Sequence, residues 1–382
     1  MKDLMRQGKD GLRHQLIGES FYDANPLPEE EVTLEGVLAD LQTALQLELS
    51  TIPPYLCALY SIQSGTNLAP VEIIKSVVIE EMLHMVMVAN LINSIGGSPV
   101  MNTSAVVPSY PTKLPGGIMP QLTVGLGHFS MKTIMVFEKI EHPEGELQFE
   151  GGGNTSIGTF YEKVKEQLKV LEEKAQEQGE TIFCGTTQQV TGEHYYGAGG
   201  KLIVVSNLKD AEDLIDEIVG QGEGTLGSIW ADQTKDPEDY KIFGTDVTEI
   251  AHYFRFKEIR YGRYYKYTDS AHRNSHNAGL PSGARMNVDW TAVSQIAPVP
   301  KMADYEDDPL LYQKAREFNL VYMALLDNLQ EACTGNPDAL KTGIPIMYDL
   351  RYKAEALLNI PYGTEGYKAA PTFEFIEPAD RA

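Results

Sequence analysis

The chain has 382 residues, of which 42% are hydrophobic and 22% charged, a composition typical of a folded protein rather than a disordered one. Its 31 basic and 54 acidic residues give a formal net charge of −23, which disfavours binding to nucleic acid or to an anionic membrane. The 3 cysteines form no paired motif, which is typical of a reducing compartment. Because the N-terminal residues contain no apolar signal region and no stretch is apolar enough to span a bilayer, we expect a cytoplasmic protein.

Two long helices are predicted near the start, after a polar N-terminal arm at residues 1–33. Apolar residues recur every three or four positions over 34–63 and again over 70–95, which indicates one buried face on each helix. Pro53-Pro54 interrupts the first helix and predicts a kink or two stacked pieces. Since only a few residues join the two helices, we expect them to pack antiparallel.

The rest of the chain alternates between helical patterns and long irregular segments. Irregular segments rich in proline or glycine are predicted at 98–129 and 270–305, and a short strand-like run at 201–207. Helices are predicted at 130–142, 156–178, 208–219, 237–266, 309–333 and 337–358. The fold class is therefore mainly α.

Three of these helices carry acidic or histidine residues on the face that should be buried. Glu48 follows the apolar stripe of the first helix, while Glu81-His84 and Glu249-His252 are E-x-x-H pairs on the second helix and on the helix predicted at 237–266. An isolated E-x-x-H pair is common among solvated residues, but a buried carboxylate needs a cation or a hydrogen-bond donor. One glutamate plus two such pairs is most of the ligand set of a dinuclear iron or manganese carboxylate bundle.

The glutamate expected from a third helix has several candidates. Glu141 and Glu162 are the two main alternatives, whereas the pattern places Glu138 and Glu166 towards solvent. Glu80, next to the first E-x-x-H pair, is predicted to be an exposed charge.

Two segments of the sequence resemble a known family. ALQLELSTIPPYLCALYSI and IEEMLHMVMVANLINSIGGSP are similar to the ferritin-like domain of the iminophenyl-pyruvate dimer synthases of bisindole biosynthesis. The resemblance continues through KIEHPE, SIGTFYEKV and AHYFRFKEI to AAPTFEF near the C-terminus. It implies a ferritin-like four-helix bundle, here with long irregular insertions and additional C-terminal helices.

The resemblance also bears on the individual ligands. It supports the four residues Glu48, Glu81, His84 and His252, and it favours Glu141 over Glu162. Glu249 is proposed from the E-x-x-H spacing alone, and Glu258 in the FKEI motif competes with it.

Together these features predict a metal-dependent enzyme. We expect residues 34–268 to form the metal-binding bundle, with residues 269–382 as a helical extension packed on it. The expected cofactor is a non-haem pair of iron ions, with manganese as the alternative, and the expected reaction is an oxidation by dioxygen. The resemblance suggests an amino-acid-derived imino or keto acid as substrate. Iron handling or peroxide protection without an organic substrate and a metal-free scaffold are the competing functions, and homo-oligomer formation is left open.

Overall fold

The computed structural model of the protein is mainly helical. It describes residues 32–143, 156–195, 199–224, 229, 250–266, 268–269, 279–363 and 366–381. The longer helices in this part of the chain are α1 (Leu34–Ser61), α2 (Leu68–Ser94), α3 (Met131–Ile140), α4 (Ile157–Glu177), α5 (Leu208–Gly222), α6 (His252–Tyr261), α7 (Pro309–Cys333) and α8 (Leu340–Leu358). Gly192–Tyr195 forms a single helical turn, and short 3-10 helices cover Pro115–Gly117, Met302–Tyr305, Pro337–Ala339 and Pro378–Asp380.

Helix α1 begins at a cap and continues through two prolines. The Thr33 hydroxyl accepts from the backbone N–H of Gly36 at 3.1 Å, which satisfies one of the unpaired donors of the first turn. Pro54 cannot donate to the carbonyl of Ser50, but the hydroxyl of Tyr110 donates to that carbonyl at 2.8 Å instead. The Pro-Pro pair therefore does not divide α1 into two helices.

Four rods of helix form the bundle, and two of these rods consist of two helices each. α1 and α2 pack along each other, α3 packs on α6, and α4 packs on α5. In addition, α3 and α4 both contact α1, while α5 and α6 both contact α2. The third rod is thus α3 followed by α4, and the fourth is α5 followed by α6. The fold is a ferritin-like helical bundle with insertions.

The fourth rod differs from the helix predicted over 237–266. Ala251 has extended backbone angles (φ −59°, ψ 152°) and caps α6, so the helix begins only at His252. Glu249 and its neighbours at 230–248 lie outside the described residues. The prediction that Glu249 shares a helix with His252 therefore lies outside the described residues.

The strand-like run at 201–207 is also not a strand. These residues are irregular, and the described residues contain only isolated β-bridges. The buried side chain of Asn90 on α2 takes the place of a strand partner, since its amide donates to the carbonyls of Val190 (2.8 Å) and Ile203 (3.2 Å).

The C-terminal helices α7 and α8 pack on each other and reach the bundle through contacts of α7 with α2 and of α8 with α1. Their buried side chains belong to the same hydrophobic cluster as those of α1 and α2. Among the helices of the described part, none combines the length and apolarity that crossing a membrane requires.

Candidate metal centre

Two groups of buried side chains meet near the middle of α1 and α2 and share one residue. Glu48, Glu81 and His84 form the first triad, and Glu81, Glu141 and His252 form the second; within each triad the potential ligand atoms lie within 4.8 Å of one another. Glu48 comes from α1, while Glu81 and His84 come from α2. Glu141 directly follows α3, and His252 is the first residue of α6. The interruptions of the third and fourth rods therefore place two of the residues at the centre.

The imidazole of His84 is oriented by an amide on α5. Its Nε2 lies 2.7 Å from Oε1 of Gln221, whose own amide nitrogen donates to the carbonyl of Gly199 at 3.1 Å. Since the amide oxygen is an acceptor, Nε2 of His84 carries the proton. The other ring nitrogen, Nδ1, faces Oε2 of Glu48, 3.5 Å away.

His252 is oriented in the same way, but by an ion pair. Its Nε2 lies 2.9 Å from Oε2 of Glu80, and Oε1 of Glu80 accepts from Nη1 of Arg255 at 2.8 Å. Nδ1 of His252 lies 2.9 Å from Oε1 of Glu81 and 3.6 Å from Oε2 of Glu141. Neither contact has the alignment of a hydrogen bond, and Nδ1 has no hydrogen-bond partner within the described residues.

This arrangement fits a metal ion. A buried nitrogen lone pair that faces carboxylate oxygens is unfavourable unless a proton or a cation lies between them. In both triads Nδ1 of the histidine faces carboxylate oxygen atoms. Nε2 of the same ring is hydrogen-bonded to a side chain outside the triad, as is usual for metal-binding histidines. Mixed carboxylate and imidazole ligands suit iron and manganese.

The charges at the centre point to the same need for a cation. Burial, together with the neighbouring carboxylate of Glu141, raises the pKa of Glu81 to about 8. Burial lowers the pKa of His252, but the adjacent carboxylates of Glu141, Glu80 and Glu81 outweigh it and hold the pKa well above its usual value. The metal-free site therefore binds protons that a metal ion would have to displace.

The candidates for the third-helix glutamate are separated by their surroundings. Glu141 is buried within the second triad. Glu162 is 37% exposed and forms an ion pair with Lys165 at 2.7 Å, and Glu166 is half-buried. Glu138, which the pattern placed towards solvent, is instead buried and pairs with Arg260 at 2.7 Å.

Two further expectations near the centre need correction or remain outside the described chain. Glu80 is not an exposed charge: its side chain is 0% exposed because it pairs with both His252 and Arg255. Glu258 is buried but accepts from the backbone N–H of Tyr265 at 2.6 Å and belongs to neither triad. Its competitor, Glu249, lies outside the described residues.

Of the residues that support the centre, Tyr55 is placed near the predicted ligands by the sequence, whereas Tyr161, Arg255 and Gln221 were not identified from it. Tyr161 donates to Glu48 and Tyr55 donates to Glu141, each at 2.5 Å. Tyr55 follows Glu48 by seven residues and hence lies on the same helix face, which is a usable signal. Arg255 lies one turn after His252 on α6, but Gln221 carries no local signal of its role.

The core of this helical bundle thus holds two carboxylate–histidine triads that could hold metal ions between the helices. The family model described as ferritin-like matches residues 41–261, and the chain belongs to the ferritin-like family.

A solved structure, of a ferritin-like protein from Caulobacter vibrioides, is similar in fold with a TM-score of 0.59 and 22% identity. The alignment covers 89% of this chain and 98% of that one. No curated protein sequence matches the chain. The narrower resemblance to the iminophenyl-pyruvate dimer synthases receives no support from these comparisons.

Proposed function

We propose that the protein is an oxidoreductase that holds two metal ions and uses dioxygen to oxidise a small organic molecule. The observation that carries this proposal is the position of Glu81 in both triads. Glu81 would hold one ion together with Glu48 and His84 and the other together with Glu141 and His252. We retain Glu249 as a proposed additional ligand on the basis of its spacing in the sequence. Iron is the proposed metal, with manganese as the alternative.

When bound, the metal pair would pass the electrons lost by the organic molecule on to dioxygen. The side chains of this protein have the supporting tasks. Burial of both triads keeps bulk water out. Gln221 and the Glu80–Arg255 pair fix the histidine orientations, and the phenols of Tyr55 and Tyr161 hold the carboxylates of Glu141 and Glu48.

The organic substrate is proposed from the chain outside the bundle and from the resemblance of its motifs. Residues 98–129, 279–305 and the helices α7 and α8 add much more chain than a helical bundle of about 170 residues requires. The resemblance to dimer synthases makes an amino-acid-derived imino or keto acid the first class of substrate to test. A cytoplasmic location belongs to the same proposal.

Metal content tests the centre directly. After anaerobic loading with ferrous ion, we expect about two iron ions per chain by elemental analysis, the number that two triads of this kind hold. His84→Ala should lose at least half of the metal. His194→Ala is the matched control, because His194 is partly buried and, within the described residues, its ring pairs with Thr191 and Asp338 and belongs to neither triad. Absence of bound transition metal from the loaded wild type would contradict the proposal.

The same measurement separates the two third-helix candidates. Glu141→Ala should reduce bound iron, whereas Glu162→Ala should leave it unchanged, since Glu162 faces Lys165 and solvent. The opposite result would move the third-helix ligand to α4.

Dioxygen consumption then separates an oxidase from an iron-handling protein. Aromatic amino acids, their keto acids and the corresponding imines should be supplied with the iron-loaded protein, and oxidised product should appear. Growth of ferric cores beyond two ions per chain without turnover of any of these compounds would favour the iron-handling function instead.

A further inference from the structure

Glu48 and Glu141 each belong to one triad only, and one oxygen of each carboxylate accepts a hydrogen bond from a tyrosine. The hydroxyl of Tyr161 on α4 donates to Oε1 of Glu48, and the hydroxyl of Tyr55 on α1 donates to Oε1 of Glu141, both at 2.5 Å. Both tyrosines are fully buried. The phenols are thus held within the protein core and donate nowhere else among the described residues.

The second oxygen of each carboxylate faces a histidine. Oε2 of Glu48 lies 3.5 Å from Nδ1 of His84, and Oε2 of Glu141 lies 3.6 Å from Nδ1 of His252. The two triads therefore repeat one arrangement. In each, Oε1 of the glutamate accepts a hydrogen bond from a tyrosine hydroxyl, and Oε2 faces Nδ1 of the histidine. Local helix geometry does not explain the repeat, because Tyr161 and Glu48 come from different helices, as do Tyr55 and Glu141.

Both rings are firmly placed. Tyr55 packs edge-on against Phe137 with ring centroids 4.5 Å apart and against Phe256 at 5.3 Å. Tyr161 packs against Phe160 at 6.1 Å.

We propose that Tyr55 and Tyr161 are positioning residues that restrict Glu141 and Glu48 to one metal-binding oxygen each, which leaves coordination positions open for an exogenous ligand. This inference rests on the proposed metal binding. With one oxygen from each carboxylate, each triad of two glutamates and one histidine would supply three ligand atoms, whereas ions of this class accept roughly six ligands. If a carboxylate turned to offer both oxygens, it would leave its phenol without an acceptor inside the core.

Binding of a small anion to the metal-loaded protein tests the inference without any turnover. Cobalt(II) is the probe metal, since its visible absorption reports the number of ligands and it is not oxidised in the absence of dioxygen. We expect azide to bind to the cobalt-loaded wild type and to change that absorption. In Tyr55→Phe and Tyr161→Phe, the freed carboxylate oxygen should compete with azide and weaken its binding about tenfold, the effect expected from losing one buried charge-assisted hydrogen bond. The double variant should bind azide more weakly still while keeping its cobalt.

Tyr110→Phe is the matched control. Tyr110 is also a buried tyrosine whose hydroxyl makes one hydrogen bond, but it donates to the backbone carbonyl of Ser50 and touches no carboxylate. This variant should keep the azide affinity and the cobalt spectrum of the wild type.

The possible outcomes separate this inference from the proposed function. Full cobalt loading with azide affinities within twofold of the wild type in the double variant would overturn the inference alone. An equal loss in Tyr110→Phe would also overturn it, because the effect would then come from packing. Failure of the wild type to bind cobalt would overturn both the inference and the proposed metal centre.

Discussion

Two buried glutamates near the second triad differ in their partners, and the difference sets their charge. Glu80 contacts Arg255 and His252, whose positive charges and hydrogen bonds outweigh burial and lower the pKa of its carboxyl. Glu258 accepts a backbone N–H from Tyr265, and burial raises its pKa to about 8. At neutral pH, Glu80 is therefore ionised and Glu258 is mostly protonated.

The protonation of Glu258 predicts a specific pH dependence of stability. Its pKa is about 8 in the folded chain and near the ordinary value of 4.5 when unfolded, so between these values only the folded state holds the proton. The resulting stabilisation is complete below pH 4.5 and is lost as pH rises to about 8, by at most about 1.4 kcal/mol per pH unit. Gln keeps the acceptor for Tyr265 but does not titrate. The free energy of unfolding of Glu258→Gln relative to the wild type should thus increase from pH 5 to pH 8 and then level off.

Urea denaturation of the metal-free proteins at pH 5, 6.5, 8 and 9 measures this difference. Glu162→Gln is the control, since Glu162 lies at the surface beside Lys165, and its curve should run parallel to the wild type. A parallel curve for Glu258→Gln would show that this carboxyl is ionised in the folded protein at neutral pH.

At the scale of helices, the joints of the third and fourth rods are where polar side chains gather. Glu141 caps the end of α3, His252 begins α6, and Gln221 lies in the last turn of α5. Helix ends leave backbone groups unpaired and allow the chain to change direction, so a break can aim a side chain where a continuous helix would not. The metal centre is thus assembled from the middles of two continuous helices and the ends of interrupted ones.

The carboxylate of Glu223 connects the end of α5 to the start of α4. Its removal should reverse the effect of Gly158→Ala on stability. Glu223, at the end of α5, accepts from the backbone N–H of Gly158 at 2.7 Å and from the Ser156 hydroxyl at 3.3 Å, which caps α4. A Cβ at Gly158 would lie 2.5 Å from Oε2 of Glu223. Glu223→Ala should cost about 1–2 kcal/mol, as loss of a helix cap does, and Gly158→Ala should also destabilise the wild type.

In the Glu223→Ala background, Gly158→Ala should stabilise the protein instead of destabilising it. The three atoms nearest to a Cβ at position 158 all belong to Glu223, so Gly158→Ala then meets no close contact and gains about 0.5–1 kcal/mol from helix propensity. Chemical denaturation of the wild type, the two single variants and the double variant measures the coupling free energy between positions 158 and 223. Additive effects of the two substitutions would mean that Glu223 does not approach Gly158 in solution.

Local patterns predicted the continuous helices well and the joints poorly, for a physical reason. Glu48, Glu81 and His84 lie on α1 and α2, whose apolar periodicity determines which side chains point inwards. The start of α6 at His252 follows instead from the extended backbone of Ala251, which periodicity does not report. Glu80 was expected at the surface because its partner Arg255 is 175 residues away.

At the scale of the whole molecule, the bundle and the C-terminal helices share one hydrophobic core. Buried residues of α1 and α2 fall in the same cluster as Phe318 of α7, Leu357 of α8 and Phe373 of the tail. Hydrogen bonds cross the boundary as well, since Gln330 on α7 accepts from the N–H of Met101 and donates to the carbonyl of Pro99. Removal of the C-terminal part would expose apolar surface and leave these polar groups without partners.

Truncation near residue 268 should therefore prevent folding rather than release a compact metal-binding unit. A chain of residues 1–268 alone should be aggregated or lack cooperative unfolding, and it should hold little iron. Co-expression of residues 1–268 with residues 269–382 is the control, because the same contacts can form between two chains without the covalent link. The paired fragments should copurify and approach the iron content of the intact protein, as measured by elemental analysis and circular dichroism. If the fragment 1–268 by itself unfolded cooperatively and bound as much iron as the intact chain, the C-terminal helices would be a separable module, and the shared cluster would contribute little to the stability of the bundle.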